Sequence, residues 1–440
     1  MHTTYSDLPV SIVGAGISGL SLAVMLHRKG MRTVVFEASS EPGGNVKTVR
    51  SDTYRFDTGP NSLLVDAQVL NFLSEAGVNE LLMPPSVASQ NRYILWQGKP
   101  ALLPTSPVSL LGSNFFSWHS KWRILTEFFR KPVHVPHENL AAFVRRRFCD
   151  EVVEKVLKPF VAGIYAGDPE QLLVSEAFPQ LAEYEQKYGS VLRGLVQSSR
   201  AGSRKQSYSF KGGMQTLAYA LAKQLPVSYG SRLTGIRKWG HAWQLLFENG
   251  DCIATARVVL ALPAHQTAQL INDLYPQAAG ALRRVYYPPV CVVHTAFAKN
   301  AVGWLPEGFG MLHPKAAQTF TAGSIWSSSI FPDVCPADQV LFTSFVGGAM
   351  YTEHTTLPPS EIVNKVVEEL QRIYQISAAP LVTHVTCWQQ AIPQYDQHIA
   401  AAKLAAAHLQ KEGIWCHSNW LHGISLADCI RASMALAEKF

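Results

Sequence analysis

The stretch Val10–Gly19 reads V-S-I-V-G-A-G-I-S-G and decides the fold. Its first four residues are an apolar run typical of a buried strand, and the glycine pattern after them opens a helix predicted over residues 20–28. Gly14 permits the tight turn between strand and helix, and Gly16 lets the backbone approach a pyrophosphate. Gly19 allows the helix to pack closely on the strand. The stretch predicts a nucleotide-binding βαβ unit.

A second β-rich run, Thr33–Phe36, ends in Glu37, eighteen residues after Gly19. A carboxylate at this distance accepts hydrogen bonds from both ribose hydroxyls and repels a 2′-phosphate, so NADP is disfavoured. The N-terminus of the intervening helix presents unpaired N–H groups and a partial positive charge to the phosphates. The unit by itself suits NAD as well as FAD.

Length and composition narrow the class of protein. A chain of 440 residues predicts two or three structural domains. With 47% apolar and 16% charged residues, it is globular and not disordered. The seven Cys show no pairing pattern, so we expect them to be buried thiols in a reducing cytosol. We expect no secretory signal and no transmembrane helix.

Positive charge is concentrated in one part of the chain. Between Gln90 and Phe160, eleven Lys and Arg residues face five acids, which accounts for the whole formal charge of +6. We expect a surface that meets anionic lipid head groups. The alternative is an ordinary helical cap with solvated charges, and nucleic acid is disfavoured because no binding motif accompanies the charge. The aromatic residues of this segment are Phe115, Phe116, Trp118, Trp122, Phe128 and Phe129.

The glycine pair Gly43-Gly44, followed by Lys47 and Thr48, resembles the flavin amine oxidase superfamily, in which this loop runs beside the FAD diphosphate. Many members carry Arg where this chain has Asn45, so a phosphate contact is lost here or is made by Lys47. The resemblance selects FAD over NAD as the cofactor.

Two later segments continue this resemblance. Residues 414–419 and 423–430 resemble the last strand, the flavin-contacting loop and the closing helix of the superfamily, with Ser418 where Gly is usual. Neither Cys416 nor Cys429 matches a flavin-tethering position, which implies FAD held non-covalently. The resemblance assigns FAD contacts to Gly14, Gly16, Ile17, Ser18, Gly19, Glu37, Ala38, Gly43, Gly44, Asn45, Gly59, Pro60, Asn61, Ser62, Ser418, Gly423, Ile424 and Ser425.

Within the superfamily, several segments resemble the protoporphyrinogen oxidase family, of the plant and mitochondrial type. The likeness covers nearly the whole chain, and its most specific stretch is K-P-F-V-A-G-I-Y-A-G-D-P at residues 158–169. The other matching segments are residues 56–62, 91–94, 98–100, 103–104, 178–179, 188–190, 210–217, 308–310 and 342–348.

The family implies a porphyrinogen substrate, a nearly neutral tetrapyrrole with two propionates on one edge. Without the resemblance, the apolar positions below would be expected in the core, Arg92 on the surface and Asn61 in a turn. The resemblance places Leu312, Ile325 and Phe345 around the rings, Arg92 at a propionate, Ala166-Gly167 beside the macrocycle and Asn61, the catalytic candidate, at the flavin and substrate edge.

The chemistry implied is hydride transfer from a methylene bridge to FAD, with loss of an N–H proton and reoxidation by O2 to give H2O2. Three such rounds produce the aromatic porphyrin. We find no metal-ligand cluster and no Ser/His/Asp arrangement in the sequence, so the flavin carries the chemistry and the protein positions and desolvates. His417 and His422 have no visible partners and are expected to be structural.

The predicted fold class is α/β, with a Rossmann-like FAD-binding domain, an α+β mixed-sheet substrate domain and a mainly helical membrane-association insert. The helices expected in the insert include residues 140–147 and 151–157, the latter broken at Pro159. The predicted domain ranges are 1–86, 208–265 and 408–440 for FAD, 87–96, 198–207 and 266–407 for the substrate, and 97–197 for the insert.

We expect a cytoplasmic protein, peripheral on the inner face of the cell membrane, with a possible homodimer and product handover to ferrochelatase. The rival activities are a flavin-type coproporphyrinogen oxidase, whose substrate carries four propionates, and an amine oxidase or carotenoid desaturase. A non-catalytic FAD-binding scaffold is the rival from another class.

Overall fold

A computed structural model of the chain describes residues 8–103, 112, 114–201 and 205–440. Its strands are β1 (Val10–Val13), β2 (Thr33–Phe36), β3 (Thr48–Ser51), β4 (Tyr54–Asp57), β5 (Leu63–Val65), β6 (Leu82–Met83), β7 (Arg92–Trp96), β8 (Lys99–Leu102), β9 (Gln206–Phe210), β10 (Val227–Ser228), β11 (Leu233–Trp239), β12 (Ala242–Phe247), β13 (Cys252–Thr255), β14 (Arg257–Leu260), β15 (Val290–Ala298), β16 (Gly310–Leu312), β17 (Gly323–Ile325), β18 (Gln339–Gly347), β19 (Val382–Trp388) and β20 (Ile414–Cys416). Its α-helices are Ile17–Arg28, Ala67–Glu75, Trp118–Leu125, Leu140–Arg147, Asp150–Val152, Lys158–Tyr165, Val174–Ala177, Pro179–Tyr188, Val191–Ala201, Gln215–Ala222, Ala264–Ile271, Pro276–Arg283, Ser327–Ile330, Pro359–Tyr374, Ile399–Lys411, Asn419–His422 and Leu426–Ala437.

A parallel sheet in the order β10-β2-β1-β14-β20 forms the first layer. Strands β1 and β2 end where the sequence predicts, and the helix between them runs over Ile17–Arg28. That helix is apolar around most of its surface and packs against Leu426–Ala437 from the end of the chain. The sheet therefore combines strands from the beginning, middle and end of the sequence.

A seven-stranded sheet in the order β19-β15-β18-β17-β16-β7-β8 forms the second layer. Its pairs are antiparallel except β7 with β16, which are parallel. Strand β15 lies inside this sheet, and eight of its nine residues are buried. Strand β8, whose residues fall in the range predicted for the insert, pairs with β7 here. Together the two layers give an α/β fold with mixed sheets and many helices.

The prediction that the cysteines show no pairing is wrong for two of them. Cys291 on β15 lies directly opposite Cys387 on β19, and the two form a disulfide. Their separation of 96 residues conceals this pairing, because only the strand register brings them together. Cys149, Cys335 and Cys429 are buried thiols as expected, whereas Cys252 is exposed.

Residues 114–201 contain helices joined by loops and no strand, and one predicted break is absent. The helical path runs from Asp150–Val152 through a π-helix at Val153–Leu157 into Lys158–Tyr165, so it continues past Pro159. Pro159 occupies the first turn of the last of these helices. The missing proline N–H is tolerated at that position, and the wider π turn before it relieves the ring's clash with the preceding carbonyl.

Many of the basic side chains of this region are paired with acidic side chains of the same chain. Five of the eleven basic residues counted from the sequence form ion pairs with nearby acids: Arg145, Arg146, Arg147, Lys155 and Lys158. Arg147 and its partners Glu127 and Glu185 are all buried. Among the described residues, no helix is both long enough and apolar enough to span a bilayer.

The aromatic residues of the region divide into two groups. Phe115 and Phe116 are buried against each other and near Trp96, which corrects the expectation that they face a membrane. Trp118, Trp122 and Phe129 are exposed by 75, 68 and 82%.

Candidate active site

A cavity of about 930 Å³ contains most of the predicted site residues. One part of its lining comes from the turns that follow β1, β2 and β14, together with the Gly43-Gly44 loop and residues 418–429. The other part comes from β15, β17 and β18 of the mixed sheet and from the Lys158–Tyr165 helix. The first part is polar and glycine-rich, and the second part is apolar. We refer to them as the nucleotide half and the apolar half.

The three glycines of the first turn act as their spacing predicts. Gly14 has φ +104°, and a Cβ there would lie 2.7 Å from the carbonyl oxygen of Ala261. A Cβ on Gly19 would overlap the carbonyl oxygen of Gly14, so this glycine serves packing and does not line the cavity. A Cβ on Gly16 would have nothing within 4 Å, because this residue faces the open cavity.

Glu37 is held in place at the end of β2. Its Oε2 accepts the backbone N–H of Ala15 at 2.8 Å, and its Oε1 accepts the N–H and the hydroxyl of Ser39, also at 2.8 Å. The side chain is half-buried and lines the nucleotide half. These hydrogen bonds keep the carboxylate at the cavity wall.

The Gly43-Gly44 loop lies against the first turn. Gly43 forms a parallel bridge with Gly16, so the two glycine segments face each other across one strand spacing. Lys47 lines the cavity, and its ammonium donates to Glu41 at 2.6 Å. This ion pair holds the pKa of Glu41 near 2. Asn45 also lines the cavity, where many relatives of the superfamily place Arg.

The apolar half is built from residues that lie far apart in the sequence. Val292 and Phe345 are directly opposite each other on β15 and β18, and Ile325 on β17 lies one strand further along. Trp388 closes the wall and donates its indole N–H to the backbone oxygen of Thr58 at 2.7 Å. Among the described residues, no charged side chain lines this half.

The structure brings most predicted site residues into one cavity. Those that line it are Gly14, Gly16, Ile17, Ser18, Glu37, Ala38, Gly43, Gly44, Asn45, Gly59, Pro60, Asn61, Ser62, Ala166, Ile325, Phe345, Ser418, Ile424 and Ser425. Ala166 has φ +48°, the left-handed region that a non-glycine residue rarely adopts, and its carbonyl accepts the N–H of Ala349 at 2.7 Å. That bond fixes Ala166 at the junction of the helix and the mixed sheet.

Besides Gly19, four predicted site residues lie outside the cavity lining. Arg92 is exposed, and its guanidinium carbon lies 4.4 Å above the ring centroid of Phe309, which does line the cavity. Leu312 packs beside Gly163 of the lining. Gly167 faces Gln394 and Leu172, and Gly423 faces Asp428, so both serve close packing.

Sequence reasoning missed several residues of the apolar half: Ala162, Gly163, Ile164, Val290, Val292, Phe309, Trp388 and Ile392. Val290 and Val292 lie on β15, and the period-2 alternation of a strand assigns them to one face. Trp388 and Ile392 have no local signal of their own.

Two residues near the nucleotide half correct or refine expectations. His417 does have a partner, since its Nε2 lies 2.8 Å from the hydroxyl of Ser433, which in turn donates to the backbone oxygen of Ser18. Cys429 lines the cavity, and burial raises the pKa of its thiol to about 11. A thiol that stays protonated is a poor nucleophile, which agrees with a cofactor held non-covalently.

Comparison with known proteins agrees with this geometry. Residues 17–425 match the family described as flavin containing amine oxidoreductase. The chain is 31% identical to the chloroplastic protoporphyrinogen oxidase of Oryza sativa subsp. japonica, over 97% of this chain and 87% of that protein. It is 27% identical to the coproporphyrinogen III oxidase of Bacillus subtilis (strain 168), over 96 and 95%.

Solved structures show the same fold. A protein from Exiguobacterium sp. 255-15 assigned as a protoporphyrinogen oxidase superposes with a TM-score of 0.83 at 21% identity, covering 99% of this chain and 98% of that one. A putrescine oxidase superposes with a TM-score of 0.71 at 14% identity, covering 98% of each chain. The family match and the relatives at about 30% identity lead to one conclusion: the chain is an FAD-dependent oxidoreductase and belongs to the flavin-containing amine oxidoreductases.

Proposed function

We propose that this chain oxidises protoporphyrinogen IX to protoporphyrin IX in porphyrin synthesis, with O2 as the electron acceptor. The observation that carries the proposal is the apolar half of the cavity, which adjoins the nucleotide half and offers uncharged walls to a large, nearly neutral tetrapyrrole. The full-length similarity to plant protoporphyrinogen oxidases supports the same substrate.

The nucleotide half fits FAD. The open face of Gly16 leaves room for a pyrophosphate, and the fixed carboxylate of Glu37 suits a ribose. Ser62, Ser418 and Ile424 are placed at the lining to contact the rest of the cofactor. FAD, when bound, supplies the acceptor for a hydride from a substrate methylene and passes the electrons to O2, which becomes H2O2.

The protein's own residues bind, orient and keep water away from the substrate. The walls at Val292, Ile325 and Phe345 exclude water and hold the macrocycle by apolar contact. Asn61 lines the cavity, and its amide donates to the backbone oxygen of Gly59 at 3.2 Å, which leaves its own oxygen to accept a substrate N–H. Arg92, stacked on Phe309, is the cation for a propionate at the entrance.

The rival substrate is coproporphyrinogen III, as the name of the Bacillus subtilis relative suggests. Four propionates would require several cations around the apolar half. Because no charged side chain of the described residues lines that half, a substrate with two propionates is favoured. Arg92 is the cation positioned next to that lining, through its contact with Phe309.

The exposed aromatic residues support peripheral attachment to a membrane. Trp118, Trp122, Leu125 and Phe129 follow the spacing of one helix face, and all four are exposed. We call them the apolar stripe. Amphipathic surfaces of this kind insert into the head-group region of a bilayer. Since much of the basic charge is paired internally, apolar insertion contributes more to attachment than charge does.

Attachment of this kind would place the protein in the cytoplasm, on the inner face of the cell membrane. It would also release a poorly soluble porphyrin where ferrochelatase could receive it.

Anaerobic mixing with protoporphyrinogen IX tests the proposal directly. The bound flavin should lose its visible absorption and regain it when air is admitted, with porphyrin fluorescence appearing at the same time. The same assay with coproporphyrinogen III should be slower. Faster coproporphyrin formation would reassign the substrate, and no bleaching with either porphyrinogen would reject the proposal.

A further inference from the structure

A second, smaller cavity adjoins the apolar half of the active site. Its volume is about 10 Å³, and four residues line both cavities: Asn61, Ser62, Phe309 and Ile325. This volume is the space that one water molecule needs, provided that two to four polar groups surround it. We call this cavity the polar chamber.

The remaining lining of the polar chamber contains Arg55, Asp57, His294, Ser327 and Thr343. Most of their polar groups already have partners. The Ser327 and Thr343 hydroxyls lie 2.7 Å apart, and Asp57 accepts the hydroxyl of Thr48 at 2.6 Å and the N–H of Met214 at 2.9 Å. Arg55 is paired with Asp333 at 2.7 Å, although its Nε makes no hydrogen bond.

His294 differs from these residues. The side chain is 1% exposed, and neither ring nitrogen makes a hydrogen bond of acceptable distance and angle within the described part of the chain. Leaving a buried polar group without a partner costs about 1–3 kcal/mol. An imidazole kept in such a place, next to a cavity of the right size, indicates a bound water.

We propose that His294 binds one ordered water in the polar chamber, and that this water carries a proton from a substrate N–H, past Asn61, to the imidazole. The inference rests on the proposed function and adds the proton path to it. In each round a substrate C–H bond breaks and its hydrogen leaves with both electrons. A substrate N–H bond also breaks, and its electron pair stays in the macrocycle as part of a new C=N bond. The imidazole later releases its proton, which joins the hydride equivalent and O2 to make H2O2.

The surroundings of His294 disfavour the charged imidazolium, so a proton that the ring accepts is held only briefly. The pKa of His294 is lowered to about 3, mainly by burial and also by the nearby His384, while the backbone of Asp57 partly opposes the lowering. The resting imidazole is therefore neutral and has a lone pair available. The charged or titratable groups that face it are Asp57 and Arg55 on β4, with Asp333 behind Arg55, and His384 on β19. Burial raises the pKa of Asp57.

The first test compares His294→Leu and His294→Gln with a matched control, His384→Phe. His384 lies directly opposite His294 on the next strand but does not line the polar chamber. Flavin bleaching by protoporphyrinogen IX is followed anaerobically in H2O and D2O between pH 5 and 9. We expect the wild type and His384→Phe to show a solvent isotope effect. We expect His294→Leu to be slower by about 10²-fold with KM within twofold, and His294→Gln to be nearly as slow because it cannot accept a proton.

Thermal unfolding and a crystal structure complete the test. His294→Leu should melt near the wild-type temperature, because an apolar side chain of similar size replaces both the buried imidazole and its water. A high-resolution structure of the wild-type protein should show a water bonded to a ring nitrogen of His294. The inference is overturned if that water is missing, if His294→Leu bleaches at the wild-type rate, or if its slowing is the same in both solvents at every pH. If protoporphyrinogen IX does not bleach the flavin of the wild type, the proposed function is rejected. The crystal structure would then still show whether His294 binds a water.

Discussion

Arg147 donates its Nε–H to Oε1 of Glu127 across 2.8 Å, and both side chains are buried. The same carboxylate accepts the hydroxyl of Ser190 at 2.5 Å and the backbone N–H groups of Val191 and Leu192 at the start of a helix. Glu127 follows the Trp118–Leu125 helix directly. The buried pair therefore anchors the apolar stripe to the rest of the helical region.

Glu127→Ala should destabilise the protein by about 3–5 kcal/mol, because it leaves the Arg147 charge buried without its partner. Urea unfolding followed by tryptophan fluorescence would measure this loss. The control is Glu248→Ala, whose exposed pair with Arg232 should contribute less than about 1 kcal/mol. Equal losses in both variants would show that the buried network is not the anchor.

Glu37→Ala should purify with little flavin. The carboxylate is held by Ala15 and Ser39 at the nucleotide half, and each charged hydrogen bond to a ribose contributes about 1.5–3 kcal/mol. Titration of the apoprotein with FAD should show affinity reduced by about tenfold or more. Glu75→Ala, at an exposed ion pair with Arg28, serves as the control. Wild-type FAD affinity in Glu37→Ala would contradict the ribose assignment.

Arg92→Ala should raise KM for the porphyrinogen several-fold and change kcat less, because a propionate contact binds substrate and transition state equally. Lys99→Ala is a suitable comparison, since Lys99 is an exposed cation on the neighbouring strand β8. Steady-state porphyrin fluorescence gives both constants. An unchanged KM would remove Arg92 from the substrate site.

Replacing Trp122 and Phe129 of the apolar stripe with Ser should weaken binding to vesicles without lowering thermal stability. Both side chains are exposed, at 68 and 82%, so their loss removes little packing inside the protein. Sedimentation with vesicles of mixed neutral and anionic lipids would measure the partition. The control is Leu404→Ser. Leu404 is 74% exposed on the Ile399–Lys411 helix, so its replacement should leave the partition into vesicles unaltered. If the double variant binds vesicles as well as the wild type does, the apolar stripe is not the membrane-binding surface.

The free energy of unfolding should begin to fall at a pH higher than the one at which carboxylates titrate, because buried histidines are involved. Burial lowers the pKa of His417 to about 3, and the same holds for His294. An unfolded histidine has a pKa near 6.5. The stabilisation that each buried neutral histidine contributes is therefore fully present above that pH, and it is lost as the pH decreases towards 3. Each histidine contributes a slope of about 1.4 kcal/mol per pH unit within this window. Calorimetry between pH 7 and 5 should show the slope reduced in His417→Asn, and an unchanged slope would contradict a neutral His417.

The sequence predicts the nucleotide half well because its signals are local. The Gly14–Gly19 turn, Glu37 and the Gly43-Gly44 loop each lie within one short segment, and their backbone requirements are visible in the residue types themselves. The apolar half is different. Val292 and Trp388 come together only through the register of β15 with β19, and periodicity cannot supply a pairing over 96 residues.

The same limit explains the errors. Cys291 and Cys387 pair through that register, and Phe115 turns inward because Trp96 and Lys155 cover it. His294 also carries no sequence signal, because its burial and its two ring nitrogens without hydrogen bonds among the described residues are visible only in the structure. The predicted domain boundaries, the roles of the individual site residues and the contact of the helical region with a membrane stay predictions.

The parallel sheet has a consequence for synthesis of the protein. Its edge strand β20 and the Leu426–Ala437 helix, which packs against the first helix, are synthesised long after β1 and β2. A nascent chain therefore carries an incomplete nucleotide half until these later segments have left the ribosome. Because residues 418–429 line the cavity, nascent chains halted before residue 414 should emerge without bound flavin and colourless.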